Sequence, residues 1–438
     1  MKNLKNSVIF KVAVIILMIL FLMIPAMIVR NLIDERENVQ RSAIQEVSSR
    51  WGNGQTLTGP YISIPYDKYV KQYEKGDSAD QIVKMKDWIY FLPQELRIDG
   101  KLNPEKRYRG IYEVVVYGSE FTIEGFFNSI DLKKFEIDLN NIHFDKATLN
   151  LGISDLKGIQ KQVELNWNAK PVSFNSGTSS SDVVEAGINA PIEIGTDSMI
   201  YHFSMTIDLK GSQNLFFIPV GKTTDVSLNS PWQTPSFTGN YLPDQREITA
   251  EGFESHWNIL HLNRNYPQSW TGSAYSVGQS SFGLELLLPV DNFKKSYRVA
   301  RYAILFLVFT FMVFFFVEVL NRVYIHPVQY LLVGISLIVF YVLLLSVSEH
   351  IKFNYAYIIA SLSTLLLITA YTTSILKSRK VGLLMFSILF ILYTFIFILI
   401  QLEDYALLIG SIGLFIILSI VMYFSRKIDW YDLKIGES

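Results

Sequence analysis

The stretch from Val299 to Phe424 constrains this chain more than any other. It is apolar almost throughout and is divided by four short polar breaks, Asn321–Pro327, Ser348–Asn354, Lys377–Lys380 and Gln401–Tyr405. Each segment between breaks has roughly 20 residues, the length a helix needs to cross about 30 Å of hydrocarbon. The expectation is five membrane helices near 299–320, 328–347, 355–376, 381–401 and 406–424. Soluble core helices are about half this long on average, so five such segments in a row do not read as a soluble core.

A sixth apolar run, Val8–Val29, follows Lys2 and Lys5 and contains Lys11 near its start. The run exceeds the apolar core of a secretory signal, and no small-x-small cleavage pattern follows it. It reads as an uncleaved signal anchor, with Pro25 near its far end, where a broken helix ladder costs least. With the first residues in the cytoplasm, the inner segments carry Lys2, Lys5, Arg322, Lys377, Arg379, Lys380, Arg426, Lys427 and Lys434. The short outer loops carry Lys352 beside Glu349, then Glu403 and Asp404. That distribution follows the positive-inside rule and places the long central segment outside the cytoplasm.

Between anchor and helices the pattern changes. Residues 31–50 continue a helix, and Trp51-Gly52-Asn53-Gly54 ends it. Thereafter apolar residues recur with period two, which marks strands. Strands are expected at Tyr61–Pro65, Trp88–Leu92, Ile111–Tyr117, Phe135–Leu139, Ala147–Ile153, Gln162–Trp167, Ile200–Leu209, Leu215–Val220, Thr224–Leu228, Ile248–Phe253 and Phe282–Leu288. Asn175–Asp182 reads as a flexible loop. Many short strands without intervening amphipathic helices suggest antiparallel, sandwich-like sheets. The fold class is thus an α+β membrane protein: six transmembrane helices, one N-terminal anchor plus a C-terminal five-helix bundle, around a large β-rich extracytoplasmic domain. The corresponding boundaries are an anchor over 1–30, the β domain over 31–297, five helices over 298–424 and a cytoplasmic tail over 425–438.

Composition removes several chemistries. There is no cysteine, which excludes disulfides, thiol nucleophiles and cysteine-ligated metals. A net charge of −1 gives no basic field for nucleic acid. No phosphate-binding loop or Gly-x-Ser-x-Gly elbow is present. His256 and His261 are five residues apart, a spacing that suits chelation on neither helix nor strand, and His143 and His202 are isolated. No catalytic residue, metal site or cofactor is expected.

The candidates that remain are polar groups in or beside the spans, where burial is costly. Glu318 can pair with Arg322 one turn on, and His326-Pro327 opens the next helix with Gln329 in its first turn. A cluster of Glu318, Arg322, His326 and Gln329 reads either as a salt-bridged helical hairpin or as a proton or ligand site. Glu349 and His350 at the opposite membrane face read as an interfacial loop or as a pH-sensitive link to the β domain. Trp232, Phe237 and Tyr241, in a Pro-punctuated stretch, form either a contact groove or a packed corner. Trp257, Trp270, Tyr266 and Tyr275 would add an aromatic patch suited to glycan or protein contacts.

Several motifs carry a resemblance. Asn229-Ser-Pro-Trp-Gln-Thr-Pro-Ser-Phe-Thr-Gly-Asn-Tyr-Leu-Pro243, followed by Arg246-Glu247-Ile248, resembles the inner-membrane protein CreD family, as does His326-Pro-Val-Gln-Tyr-Leu-Leu-Val-Gly334 continuing to Ser348-Glu349-His350. Gly59-Pro60-Tyr61, Phe91-Leu92-Pro93, Arg109–Tyr112, Ala303–Leu305 and Ile428–Tyr431 follow the same family order over nearly the whole chain. The resemblance implies a bacterial inner-membrane protein of cell-envelope integrity, linked in some bacteria to a two-component stress response, and it carries over no catalytic residues. The expected role is non-enzymatic, with the outer domain binding or sensing an envelope protein, glycan or lipid. The alternative is a transporter or lipid flippase built on the five-helix block, with Ser336, Ser346 and Ser361 among its polar groups.

Overall fold

The N-terminal helix does not end with its apolar run. In the computed structural model, α1 (Val8–Trp51) is one helix of 44 residues, about 66 Å long at 1.5 Å per residue. Pro25 lies inside it without ending it. One stripe of α1 is buried, through Lys11, Ile15, Leu22, Ala26, Val29 and Ile33, while Leu17, Leu20, Phe21, Ile24 and Ile28 are exposed. The helix stops at Gly52, whose φ of 147° favours glycine. A Cβ there would also meet the Lys210 carbonyl oxygen at 2.8 Å.

The described residues are 8–72, 81–195, 199–288, 292–321, 323–402 and 405–426. They form two compact units, Met1–Arg41 with Val290–Ser438, and Ser42–Pro289. α1 therefore supplies residues to both.

The second unit is built of strands β1 (Gln55–Gln72), β2 (Gln81–Phe91), β3 (Glu95–Arg109), β4 (Tyr112–Phe127), β5 (Thr148–Ile153), β6 (Glu164–Trp167), β7 (Lys170–Ser173), β8 (Asn175–Ser176) and β9 (Gly187–Pro191). It continues with β10 (Tyr201–Ser212), β11 (Asn214–Ile218), β12 (Thr223–Ser230), β13 (Pro235–Gly239), β14 (Gln245–Ile248), β15 (Phe253–Leu260), β16 (Ser269–Thr271) and β17 (Phe282–Leu286). One sheet runs β13-β17-β11-β1-β5-β9-β8, with β2 pairing β1 and β16 beyond that path. The other runs β14-β15-β12-β3-β4-β10-β6-β7.

Inward residues of both sheets make one hydrophobic core. Rings meet across it: Phe121 and Phe217 at 5.8 Å, and Trp257 with Phe282 and with Phe237, each at 5.7 Å. Period two works because alternate side chains enter this core, as in β12, where Thr224, Val226, Leu228 and Ser230 are buried.

The sheets are mixed, which corrects the antiparallel expectation. β1 pairs β11 in parallel, Gln55 opposite Leu215, and β3 pairs β12 in parallel, Glu95 opposite Thr223. Parallel neighbours need long crossovers, and the intervening strands provide them. Three local expectations also change. Phe135–Leu139 is not a strand: short turns occupy Lys133–Phe135 and Leu139–Asn141, because Asp131 and Asp138 accept from the Lys133 and Asn140 amides at 3.1 and 2.9 Å. Ile248–Phe253 is the turn between β14 and β15, closed by the Thr249 amide on the Gly252 carbonyl at 2.8 Å. Within Asn175–Asp182, Asn175 and Ser176 pair with β9, and Asn150 Oδ1 accepts from the Ser179 amide at 3.0 Å.

The first unit adds α2 (Asn292–Arg301), α3 (Ala303–Asn321), α4 (Pro327–Ser348), α5 (Phe353–Leu376), α6 (Arg379–Gln401) and α7 (Ala406–Ser425). With α1, six helices among the described residues are long and apolar enough to cross a membrane. The span expected from 299 instead breaks at Tyr302, between α2 and α3. Neither proline nor glycine causes the break. Its freed carbonyls, Ala300 and Arg301, accept from the Arg30 guanidinium at 3.2 and 3.4 Å. The centre of this unit is aromatic: Tyr393 lies 4.6 Å from Phe306 and 5.0 Å from Phe340, and its carbonyl accepts from the Tyr357 hydroxyl at 2.8 Å.

Candidate functional site

Two charges in apolar helices meet. Lys11, on the buried stripe of α1, is 8% exposed, and Glu318, in the last turn of α3, is fully buried. The Lys11 ammonium donates to Glu318 Oε1 and, at 2.8 Å, to the Ile325 carbonyl. Glu318 Oε1 also accepts from the Ile325 amide at 3.2 Å, and Oε2 accepts from the Tyr330 hydroxyl at 2.9 Å. A buried charge survives only when paired and hydrogen-bonded, and both conditions hold here. The rings of Tyr324 and Tyr330 flank Lys11 Nζ at 4.4 and 5.7 Å, within cation–π range. Phe311 and Phe314 wedge Tyr330 in place at 5.6 and 5.8 Å.

This arrangement divides the expected cluster. Glu318 is in the site, but the described cationic partner is Lys11, from 307 positions away. Arg322 lies outside the described residues. His326 and Gln329 do not reach Glu318; they cap α4. His326 Nδ1 accepts from the Val328 amide at 3.3 Å, and Gln329 Oε1 accepts from the His326 amide at 2.9 Å. This is the reciprocal capping box expected of a helix start, with Pro327 in the first turn. The cap holds the Tyr324–Ile325 loop against Glu318.

Lys11, Tyr324 and Tyr330 were missed by sequence reasoning. The available signal was a lone lysine inside an apolar run, four residues before Ile15 on what becomes the buried stripe. A lysine at the start of such a run also suits a headgroup anchor, so its partner was not legible.

At the other end of α4, Glu349 lies 3.5 Å from Arg36 of α1, and His350 is exposed. Nineteen residues of α4 separate Tyr330 from Glu349, about 28 Å along the helix, so Glu318 and Glu349 belong to distinct sites.

In the β unit, the Pro-punctuated stretch forms a corner. Phe237 packs edge-on against Phe253 and Trp257 at 5.7 Å, and Tyr241 donates from its hydroxyl to the Asn263 carbonyl at 2.7 Å. Trp232 is half-buried against the same core. The expected aromatic patch is corrected: Trp257, Trp270 and Tyr266 are buried, and only Tyr275 of the four is exposed. Their area is spent on the core rather than offered to a ligand. His143 faces Asp67 at 3.1 Å, and Lys84 faces the same oxygen at 2.8 Å. Lys84, then His143, hold the Asp67 carboxyl below the usual range. Among the described residues no group of three or more histidines and carboxylates is placed to hold a metal.

A family profile for inner membrane protein CreD matches residues 7–431. The chain belongs to the CreD family. Inner membrane protein CreD of Escherichia coli (strain K12) is 31% identical over 438 residues, covering 99% of this chain and 96% of that protein. Among solved structures, the M1 zinc metallopeptidase from Deinococcus radiodurans aligns over 38% of each chain at 7% identity and a TM-score of 0.19. A substrate-bound mutant of that enzyme aligns over 38% of this chain and 39% of its own, at 6% identity and a TM-score of 0.18. A likeness that slight carries no argument. The CreD assignment accords with six apolar helices and a multi-pass inner-membrane protein, and Lys11 and Glu318 lie on two of those helices, α1 and α3.

Proposed function

We propose that this CreD-family chain serves envelope integrity without catalysing a reaction: the β domain lies outside the cytoplasm and binds or senses an envelope component, and α1 carries its state to the five-helix block. One observation bears most of the weight. α1 is a single unbroken helix fastened within both units. In the β unit, Trp51 Nε1 donates to the Tyr117 carbonyl at 3.2 Å, Glu46 pairs with Arg109 at 2.9 Å, and the Arg107 guanidinium lies 3.9 Å from the Trp51 ring centroid. In the membrane unit, Lys11 binds Glu318, Arg30 caps the carbonyls at the α2–α3 break, and Arg36 faces Glu349. The basic residues of the short loops support the outward orientation.

The test breaks the helix and spares its fastenings. Val39 is 45% exposed on α1, so Val39→Pro disrupts the backbone while removing little packing. The expected result is loss of the envelope phenotype at wild-type protein level, with Val39→Ala silent. A phenotype indifferent to Val39→Pro refutes transmission through α1. Site-specific crosslinking in cells from positions beside Trp232 and Tyr241 then identifies what the β domain touches.

The ionisable pair inside the spans favours a second reading, transport or lipid flipping by the five-helix block. Under that reading Glu318→Gln abolishes the phenotype without lowering protein level. Under the first reading, level and phenotype fall together.

A further inference from the structure

One face of α2 is turned into the membrane unit: Ser296, Val299 and Ala300 are buried. Tyr297 and Arg301, four residues apart, share another face. Arg301 is exposed, and its guanidinium lies 5.6 Å from the Tyr297 ring centroid. A second arginine meets the last turn of α2. Arg30 of α1 donates from Nε and Nη2 to the Ala300 carbonyl at 3.3 and 3.2 Å, and from Nη2 to the Arg301 carbonyl at 3.4 Å. Those bonds leave its Nη1 without an acceptor among the described residues. Neither guanidinium has a carboxylate partner among them either. Glu37 and Glu349 pair instead with Arg41 and Arg36. α3 begins two residues after Arg301, and its first amides, unpaired within the helix, add partial positive charge. Like charges held on one turn repel, and an anion between them relieves that cost. The apolar stretch of α3 runs from Ala303 to Leu320. A bilayer-spanning helix with that stretch holds the residues just before it at headgroup level, where the phosphates lie.

We propose that the break between α2 and α3, with Arg301 and Arg30, binds the headgroup of an anionic phospholipid. The phosphate diester accepts from the Arg301 guanidinium, whose planar fork matches two phosphate oxygens, while Arg30 adds charge and the donors of Nη1. Ile304, 45% exposed in the first turn of α3, offers apolar surface to the lipid below its phosphate. Charge and apolar contact side by side suit a lipid better than a free anion. Two cations at one place disfavour a headgroup that carries its own ammonium, so phosphatidylglycerol is bound in preference to phosphatidylcholine. The inference lies within the membrane unit and does not depend on what the β domain binds.

The test uses the full chain, purified in a neutral detergent at low salt. Melting is followed after adding phosphatidylglycerol or phosphatidylcholine at equal mole fraction. Phosphatidylglycerol should raise the melting temperature saturably, by about 3 °C or more, and phosphatidylcholine should not. Arg301→Gln keeps the Arg30 cap, so it should melt as wild type without lipid yet lose most of the phosphatidylglycerol rise. Arg301→Lys, which keeps the charge but not the fork, should fall between the two. It carries the test alone if Arg301→Gln does not accumulate. Lys352→Gln removes another exposed cation of the same unit and should leave the rise intact. No rise, equal rises with both lipids, a rise that survives Arg301→Gln, or one lost equally in Lys352→Gln overturns the proposal. So does inorganic phosphate that matches the lipid at equal concentration and ionic strength, a result that assigns a soluble anion instead.

Discussion

At the scale of residues, the membrane unit turns on one charge pair. Removing either member strands the other in a low-dielectric site, so Lys11→Met or Glu318→Leu alone should cost about 3–5 kcal/mol. Replacing both together should cost less than either alone, since no charge is left uncompensated. Reversible unfolding of the four proteins in mixed micelles gives the cycle, and simple additivity would contradict the coupling. A surface pair predicts a different signature. The Asp67 carboxyl is held below its ordinary range by Lys84 and then His143. A lowered folded-state pKa contributes stability above the unfolded value, near 3.9, and that stability is lost as pH falls through the folded value. Asp67→Asn should therefore melt below wild type at neutral pH, and the two curves should converge in acid. Glu318 was legible as a costly residue because it interrupts an apolar helix. Lys11 was not, because the same lysine also suits a headgroup anchor.

At the scale of elements, close approach decides the docking of α1. Gly334 of α4 faces Leu22 of α1, and a Cβ at Gly334 would lie 2.2 Å from the Leu22 Cδ1 atom. Gly334→Ala should destabilise the membrane unit by about 1–3 kcal/mol through overpacking. Leu22→Ala in the same chain should recover much of that loss, a rescue that a purely local effect on α4 would not show. The helices were readable from apolar length, and the start of α4 from His326-Pro327, because spans and caps are written in neighbouring residues. β3 was not readable as a strand. Its charges, Gly100 and Pro104 hide the alternation of Leu96, Ile98, Gly100 and Leu102, which are buried in turn. The break at Tyr302 was also invisible, since the group that satisfies it, Arg30, comes from another helix.

At the scale of the whole molecule, topology makes the firmest prediction. Alkaline phosphatase fused near residue 180 should be active and a fluorescent cytoplasmic reporter at the same place dark, because the short-loop charges favour an outward β domain. The opposite pattern would reverse the orientation and remove the support for envelope sensing. The β unit also shows why a count of strands underdetermines a fold. Period two identifies residues that face a core, but it does not specify whether a strand lies parallel or antiparallel to a distant neighbour.

The sequence alone determined the partition: six segments long and apolar enough for a bilayer, one strand-rich insert between the first two, and no cysteine chemistry. Those conclusions rest on burial of apolar surface and on local periodicity, both properties of adjacent residues. Only the tertiary structure decided that Lys11 belongs to Glu318, that Arg30 caps a broken helix, and that β1 and β3 lie parallel to β11 and β12. A sequence marks which groups are costly to bury, whereas the partner that offsets the cost is chosen by packing across hundreds of residues.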